Sequence, residues 1–121
     1  MRVFKNTWFT RFARREGIED SELKTMVNDA LEAGQAEADL GGGVYKVRVA
    51  RSGEGKSGGY RVIVYFKSQF RTFFVYGFAK SDMGNIGRKE LRKFKENSRR
   101  MQALTEAQVE VLLKDGTLYE I

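Results

Sequence analysis

The sequence predicts an α+β fold in which an N-terminal helical hairpin precedes an antiparallel sheet of three to four strands, followed by C-terminal helices. Two observations carry this prediction. Apolar residues at helical spacing occupy both ends of the chain, and the middle of the chain has stretches rich in β-branched and aromatic residues, of which residues 45–50 and 60–67 alternate between two faces. Because 121 residues suffice for one hydrophobic core, residues 1–121 are predicted to form a single domain.

Two helices are predicted in the first third of the chain, after a short extended segment over residues 1–6. A helix over residues 8–16, capped by Thr7, should turn three rings toward the core: Trp8, Phe9 and Phe12. A second helix over residues 20–33 follows from one apolar stripe, which consists of Leu23, Met26, Val27, Ala30 and Leu31. The short turn between the two helices predicts that they form a hairpin.

Three strands are predicted in the middle of the chain, over residues 45–50, 60–67 and 71–79. A glycine-rich loop over residues 51–59 joins the first two, and a tight turn joins the second to the third. Alternate side chains of the first two strands point to opposite faces of the sheet. The third strand is apolar on both faces, which is typical of a central strand that is covered on both sides.

The C-terminal part of the chain predicts two further helices. Residues 88–103 carry a basic outer face and an inner stripe formed by Leu91, Phe94, Ser98 and Met101. Thr105 and Gln108 have the spacing of a capping box, which predicts the start of a last helix that runs through residue 114. Residues 118–121 are compatible with a short strand.

The positive charge of the chain is concentrated in the predicted sheet. The chain has 22 basic and 16 acidic residues, a net charge of +6, whereas residues 46–80 contain eight basic residues and only Glu54 as an acid, a local charge of +7. A basic sheet with aromatic residues among its charges favours a polyanionic partner, above all nucleic acid.

The composition excludes several kinds of site. There is no cysteine and no histidine, so disulfides, thiolate nucleophiles, cysteine metal ligands and an imidazole general base are impossible. No metal or small-molecule cofactor is predicted. The chain also has no apolar run of membrane-spanning length and no apolar N-terminal stretch of a signal peptide. We therefore expect a cytoplasmic protein without a membrane partner.

Three cations are predicted to lie together on one face of the sheet. Lys46 and Arg48 are two residues apart on the first strand, and Arg61 can lie on the same face of the next strand, where neighbours are ~5 Å apart. A solvated face is the plain alternative, but three like charges this close are costly unless an anion joins them. Two more lysines belong to the candidate set, Lys56 in the glycine-rich loop and Lys80 at the end of the third strand.

Three short motifs resemble the RelE/ParE superfamily of bacterial toxins: Tyr45-Lys46-x-Arg48, Gly59-Tyr60-Arg61-Val62 and Gly77-Phe78-Ala79-Lys80. The longer form that includes Lys56 and Ser81 is similar to the HigB-like branch. The resemblance implies the RelE-like microbial ribonuclease-type fold and endoribonucleolytic cleavage of mRNA, generally in the ribosomal A site. It also implies a cognate antitoxin from the same operon, of the helix-turn-helix type.

The resemblance carries over residue by residue only in part. The basic pair of RelE falls on Lys46 and Arg48, its arginine after Gly-Tyr falls on Arg61, and its lysine after the last strand falls on Lys80. However, Ser81 stands where RelE has a catalytic arginine. Where RelE has a tyrosine, this chain has Asn85 and Ile86. Arg51, Lys56 or Arg71 would have to compensate for these differences.

The chemistry expected of such a site is attack of a ribose 2′-OH on the adjacent phosphorus. The reaction needs a general base, positive charge for the phosphorane and a general acid. We expect Arg61 and Arg48 to stabilise the phosphorane, Lys46 or Lys56 to act as the base, and Lys80 to act as the acid. Four further residues are predicted to contact RNA: Arg51, Arg71, Lys67 and Tyr65.

Two other functions remain open at this point. A ParE-like protein of the same superfamily would poison DNA gyrase without cutting RNA, and it would have less need of clustered lysine and arginine on the sheet. A simple RNA-binding module would bind without toxicity. A neighbouring gene that encodes an antitoxin would argue against the second of these alternatives.

Overall fold

The computed structural model describes residues 1–51, 55–79 and 86–121, and the side chains of residues 50, 51 and 55–58 lie outside that description. Within these residues a six-stranded sheet has helices on both faces. In chain order the elements are β1 (Arg2–Asn6), α1 (Thr7–Glu16), α2 (Asp20–Met26) with a π-helical continuation (Val27–Glu32), β2 (Ala38–Gly41), β3 (Val44–Arg51), β4 (Gly55–Lys67), β5 (Arg71–Ala79), α3 (Arg88–Gln102), α4 (Glu106–Lys114) and β6 (Leu118–Glu120).

The sheet is larger than predicted and is not wholly antiparallel. Its strand order is β2-β3-β4-β5-β1-β6, and β1 runs parallel to β5. The prediction of three to four antiparallel strands found the central β3, β4 and β5 but underestimated the edges. The strand β2 has only four residues, which is too short for alternation to identify it. The strands β1 and β6 lie where the sequence indicated an extended segment and a segment compatible with a short strand, but the prediction counted neither in the sheet. The predicted loop over residues 51–59 is also too long, because β4 begins at Gly55.

The first helix differs from the prediction at its cap and in its packing. Asn6, not Thr7, caps α1: the Asn6 Oδ1 atom accepts a hydrogen bond from the backbone N–H of Phe9 at 2.7 Å. The Thr7 hydroxyl instead donates to the carbonyl of Gly116 at 3.0 Å. The predicted hairpin is wrong in detail, because α1 packs chiefly against β5 and β1 rather than along α2.

Two apolar layers cover the sheet. On one face α1, α2 and the π-helical segment pack onto β3, β4 and β5 around fully buried rings such as Phe9 and Phe74. On the other face α3 and α4 cover a second layer around Phe4 and Phe73. The predicted stripe of α3 is confirmed, with Ser98 buried and its apolar neighbours partly buried. None of the helices in the described ranges is long and apolar enough to cross a membrane.

The helical spacing of Trp8 predicted that its ring would face the core, and this prediction is wrong. Its side chain is 41% exposed, although Phe9 and Phe12 of the same helix are buried. The indole ring stacks on Phe12 and packs at a tilt against Tyr76 of β5. Trp8 therefore marks the border between the core and the surface.

Candidate active site

The pairing of β3 with β4 brings the predicted cations together. Arg48 lies directly opposite Arg61 in the ladder, and Lys46 lies opposite Ile63. Alternation places Lys46, Arg48 and Arg61 on the same face of the sheet as the apolar layer that α3 and α4 cover. The prediction that these three residues are neighbours is confirmed by the strand register.

An acid that the sequence analysis missed, Glu37, lies at the centre of the three cations. It immediately precedes β2. Its Oε1 atom accepts hydrogen bonds from Arg48 Nε at 2.8 Å and Arg61 Nε at 3.0 Å. Its Oε2 atom lies 2.9 Å from Arg61 Nε and 3.7 Å from Lys46 Nζ. The anion that three close cations require is therefore part of the protein itself. We call these four residues the Glu37 cluster.

The electrostatics of the Glu37 cluster keep its carboxylate ionised. Burial acts to raise the pKa of Glu37, but the hydrogen bond from Arg48 and the charges of Arg61 and Lys46 outweigh it, so the pKa is lowered. Three cations and one carboxylate leave the cluster with a net charge of +2. The cluster can therefore still attract a phosphate group.

One carboxylate oxygen of Glu37 has unused hydrogen-bonding capacity. Although Oε2 is close to two cations, it accepts no hydrogen bond of acceptable geometry from the described residues. The N–H of Arg61 Nε points to Oε1, so its short distance to Oε2 is an ion-pair contact and not a second hydrogen bond. A buried carboxylate oxygen in this state can accept a proton or a hydroxyl donor.

The Glu37 cluster opens to solvent on the side of Arg48. The Arg48 side chain is 49% exposed, whereas those of Arg61 and Glu37 are 7% and 18% exposed. Arg61 is thus held in place by burial and by Glu37, and Arg48 can move toward a ligand. The cluster combines one fixed and one mobile guanidinium group.

Two residues predicted to contact RNA are buried, which disfavours the contact for both without testing it. Arg71 is 2% exposed; its Nη1 donates to the carbonyl of Leu104 at 2.7 Å, and its Nη2 pairs with Glu106 at 2.8 Å. Tyr65 is 3% exposed beneath α3, and burial raises the pKa of its hydroxyl to about 12. Both side chains project from the sheet toward the helices that cover this face.

The remaining predicted residues lie apart from the Glu37 cluster or outside the description. Lys67 is exposed at the end of β4, six residues or ~20 Å from Arg61 along the strand, and its ammonium group lies over the ring of Phe70. The backbone of Arg51 pairs with Gly55. Nothing is described of the side chains of Arg51 and Lys56, nor of Lys80, Ser81 and Asn85. Ile86 packs against the second apolar layer.

The whole chain, residues 1–121, matches a protein family described as the RelE toxin of the RelE / RelB toxin-antitoxin system. The chain belongs to the RelE toxin family. This confirms the resemblance to the RelE/ParE superfamily and makes the protein the toxin of a type II toxin-antitoxin system, whose partner is a cognate antitoxin. The assignment to the HigB-like branch stays a prediction.

In this RelE-family toxin the described residues contain no group of three or more aspartate or glutamate side chains placed to hold a metal ion. The chemical groups that the site does offer are two guanidinium groups, one ammonium group and one carboxylate. The repulsion among three adjacent cations could have indicated that an acidic residue lies among them. However, no pattern of the sequence indicated which acid would reach them.

Proposed function

We propose that this RelE-family toxin is a metal-independent, ribosome-dependent mRNA endoribonuclease that inhibits translation in the cytoplasm. The observation that carries the proposal is the Glu37 cluster, which sets two guanidinium groups and a carboxylate side by side on a face of the sheet. Membership of the RelE family supports the same activity. The partners in this proposal are the ribosome and its mRNA, together with an antitoxin of the helix-turn-helix type.

The proposed reaction is an internal displacement at phosphorus. A base takes the proton of a ribose 2′-OH, the 2′-oxygen bonds to phosphorus, and the bond to the 5′-oxygen breaks as an acid gives that oxygen a proton. The products are a 2′,3′-cyclic phosphate and a free 5′-OH. Positive charge beside the phosphorus stabilises the phosphorane, in which negative charge accumulates.

Arg61 and Arg48 are proposed to bind the phosphorane. Arg61 is suited to this because burial holds it in one position before the substrate arrives, so little reorganisation is needed during the reaction. Arg48 is exposed enough to follow the phosphate. Planar guanidinium groups also match phosphate oxygens in pairs, which a lysine ammonium group does not.

The general base is proposed to be Glu37, with Lys46 and Lys56 as the alternatives named by the sequence. A neutral lysine would depend on mutual repulsion among the cations, and the carboxylate of Glu37 offsets that repulsion. Glu37 is ionised, and its buried Oε2 atom accepts no hydrogen bond from the described residues, so it keeps a lone pair for a proton. Half-exposed Arg48 would have to move aside for a 2′-OH to reach this atom. Lys80 remains the proposed acid. The ribosome would supply the bent mRNA geometry that brings the 2′-OH in line with phosphorus.

Arg48→Gln tests the proposal, because Arg48 is half-exposed and its loss should leave the fold intact. We expect the variant to cleave mRNA ~100-fold more slowly, since one well-placed charge at a transition state has about this effect, while its affinity for ribosomes changes little. The assay is primer extension on mRNA from cells that make each variant, beside a ribosome-binding measurement. Lys24→Gln, which removes the same charge from exposed α2, should behave like the wild type.

Arg61→Ala is a less suitable variant. Arg61 is 5% exposed and carries two of the short contacts of Glu37, so its removal would also disturb the packing. Wild-type cleavage by folded Arg48→Gln would remove Arg48 from the mechanism. If the wild-type protein stops growth without cutting mRNA, the gyrase-poison alternative replaces the proposal. If it binds RNA and is not toxic at all, the binding-module alternative does so.

A further inference from the structure

Trp8 is an exposed ring held in a fixed orientation at the start of α1. It is the single tryptophan of the chain, and 41% of it is exposed. Its centroid lies 4.5 Å from that of Tyr76 at an interplanar angle of 31°, and 5.3 Å from that of Phe12 at 17°. A ring that is oriented by two neighbours and still open to solvent can stack on a further flat group at low entropic cost.

An aromatic path connects Trp8 to the Glu37 cluster. Tyr76, beside Trp8, has its ring centroid 6.2 Å from that of Phe78. Phe78 lies directly opposite Arg61 in the β4–β5 ladder. Neighbouring strands are ~5 Å apart, so Trp8, Tyr76 and Phe78 form a continuous row of rings that ends beside the strand of Arg61.

Two arginines accompany Trp8 on the same stripe of α1. Arg11 and Arg15 follow it by three and seven residues, and both are exposed. The Arg15 guanidinium lies over the ring of Phe12 at 5.7 Å, and its Nε pairs with Glu16 at 3.0 Å. Cations beside an exposed aromatic ring are the combination with which proteins hold single-stranded nucleic acid.

We propose that Trp8 stacks on an unpaired base of the mRNA, while Arg11 and Arg15 neutralise the phosphates beside that base. Trp8 is then a positioning residue that fixes the strand relative to Arg61 and does not touch the reacting atoms. This inference rests on the proposed function, because it takes RNA to be the substrate. RNA is favoured over a protein partner because the stripe is cationic and leads directly to the proposed phosphate site.

The single tryptophan allows a direct test, because all indole emission comes from Trp8. A single-stranded 2′-O-methyl RNA oligonucleotide, which cannot be cleaved, is titrated into the purified toxin. We expect saturable quenching of the emission. With a labelled oligonucleotide, Trp8→Ala should bind about 5- to 100-fold more weakly, the usual range for one stacked base, and Trp8→Phe should recover most of the loss.

Salt dependence separates stacking from charge. Trp8→Ala should leave the slope of log affinity against log salt unchanged, whereas Arg11→Gln should reduce it by about one. Val111→Ala, which shortens a side chain exposed on α4, is the control and should bind like the wild type. Melting curves establish that each variant is folded, and Trp8→Phe retains a ring against Tyr76 and Phe12 if Trp8→Ala does not fold.

The inference and the proposed function fail in different ways. RNA binding that neither quenches Trp8 nor weakens in Trp8→Ala or Trp8→Phe would overturn the inference, even if mRNA cleavage is confirmed. Quenching by the antitoxin but not by RNA would overturn it as well and would make this surface a protein interface. Quenching by RNA in a protein that cleaves no mRNA would support the stacking role and remove the proposed function.

Discussion

A buried arginine needs an anion or several carbonyl oxygens around it, and Arg61 and Arg71 meet this need in different ways. Arg61 is paired with the carboxylate of Glu37. Arg71 pairs with a carboxylate as well, that of Glu106, but it also reaches the end of α3, where its Nη1 lies within 3.4 Å of three carbonyl oxygens, those of Met101, Gln102 and Leu104. A positive charge at the C-terminus of a helix satisfies free carbonyls and interacts favourably with the helix dipole. Arg71 is therefore a cap for α3.

Arg71→Met should lower the free energy of unfolding by roughly 1–3 kcal/mol, because buried carbonyl groups lose their donor. Lys67→Met, a similar change at an exposed position, should alter it by less than about 0.5 kcal/mol. Urea denaturation of both variants provides the comparison. Equal effects of the two changes would contradict the capping role. Loss of RNA affinity in Arg71→Met without loss of stability would revive the predicted RNA contact.

At the scale of elements, the packing of α1 on β5 depends on the absence of a side chain at Gly77. A Cβ atom at this position would lie 2.4 Å from the Cε2 atom of Phe12, well inside contact distance. Phe12 in turn carries the stacked ring of Trp8. The close approach of helix and strand thus fixes the surface on which the tryptophan lies.

Gly77→Ala should destabilise the protein by about 1–3 kcal/mol, because the added methyl group displaces the Phe12 ring. It should also shift the emission of Trp8. Phe12→Leu in the same chain makes room for the methyl group, so the double variant should be less destabilised than the sum of the two single variants. Denaturation of the wild type, the two single variants and the double variant gives the coupling free energy between the two positions. Strict additivity would show that the methyl group and the ring do not meet.

At the scale of the whole molecule, an acidic groove borders the Glu37 cluster. The groove, of about 710 Å³, lies between α2 and β3, and Arg48 of the cluster is one of its lining residues. Its acidic side chains are Glu16, Glu22 and Asp29. These carboxylates would repel a polyanion, so we do not expect RNA to enter the groove.

Expressed alone in bacteria, the toxin should stop growth and translation, and co-expression with the adjacent gene should restore both. The two proteins should then purify as one stable complex, because an antitoxin must cover or distort the cationic site at cellular concentrations. Growth curves, incorporation of labelled amino acids and size-exclusion chromatography provide the measurements. Normal growth with folded toxin alone would contradict toxicity. Separate elution at micromolar concentrations in moderate salt would show that the adjacent gene does not encode the antitoxin.

The sequence predicted features that depend on local periodicity and missed those that depend on long-range packing. Alternation placed Lys46 and Arg48 on one face of β3 and allowed Arg61 to lie beside them, and the register of β3 with β4 puts Arg61 there. Glu37 could not be predicted to lie beside them, since its segment before β2 has no periodic pattern. The exposure of Trp8 could not be predicted either, because helical spacing does not show where the sheet beneath a helix ends.

In the proposed mechanism, Glu37 makes the cationic site an ion exchanger, in which the carboxylate leaves Arg48 and Arg61 before a phosphate binds them. A phosphate that takes the hydrogen bonds of Arg48 and Arg61 would release the carboxylate from the contacts that lower its pKa. We expect the pKa of Glu37 to rise on this exchange, which makes the proposed base a stronger proton acceptor when the 2′-OH is bound. Before the exchange, the same carboxylate keeps like charges from repelling one another and is a poor proton acceptor. Substrate binding would thus activate the base.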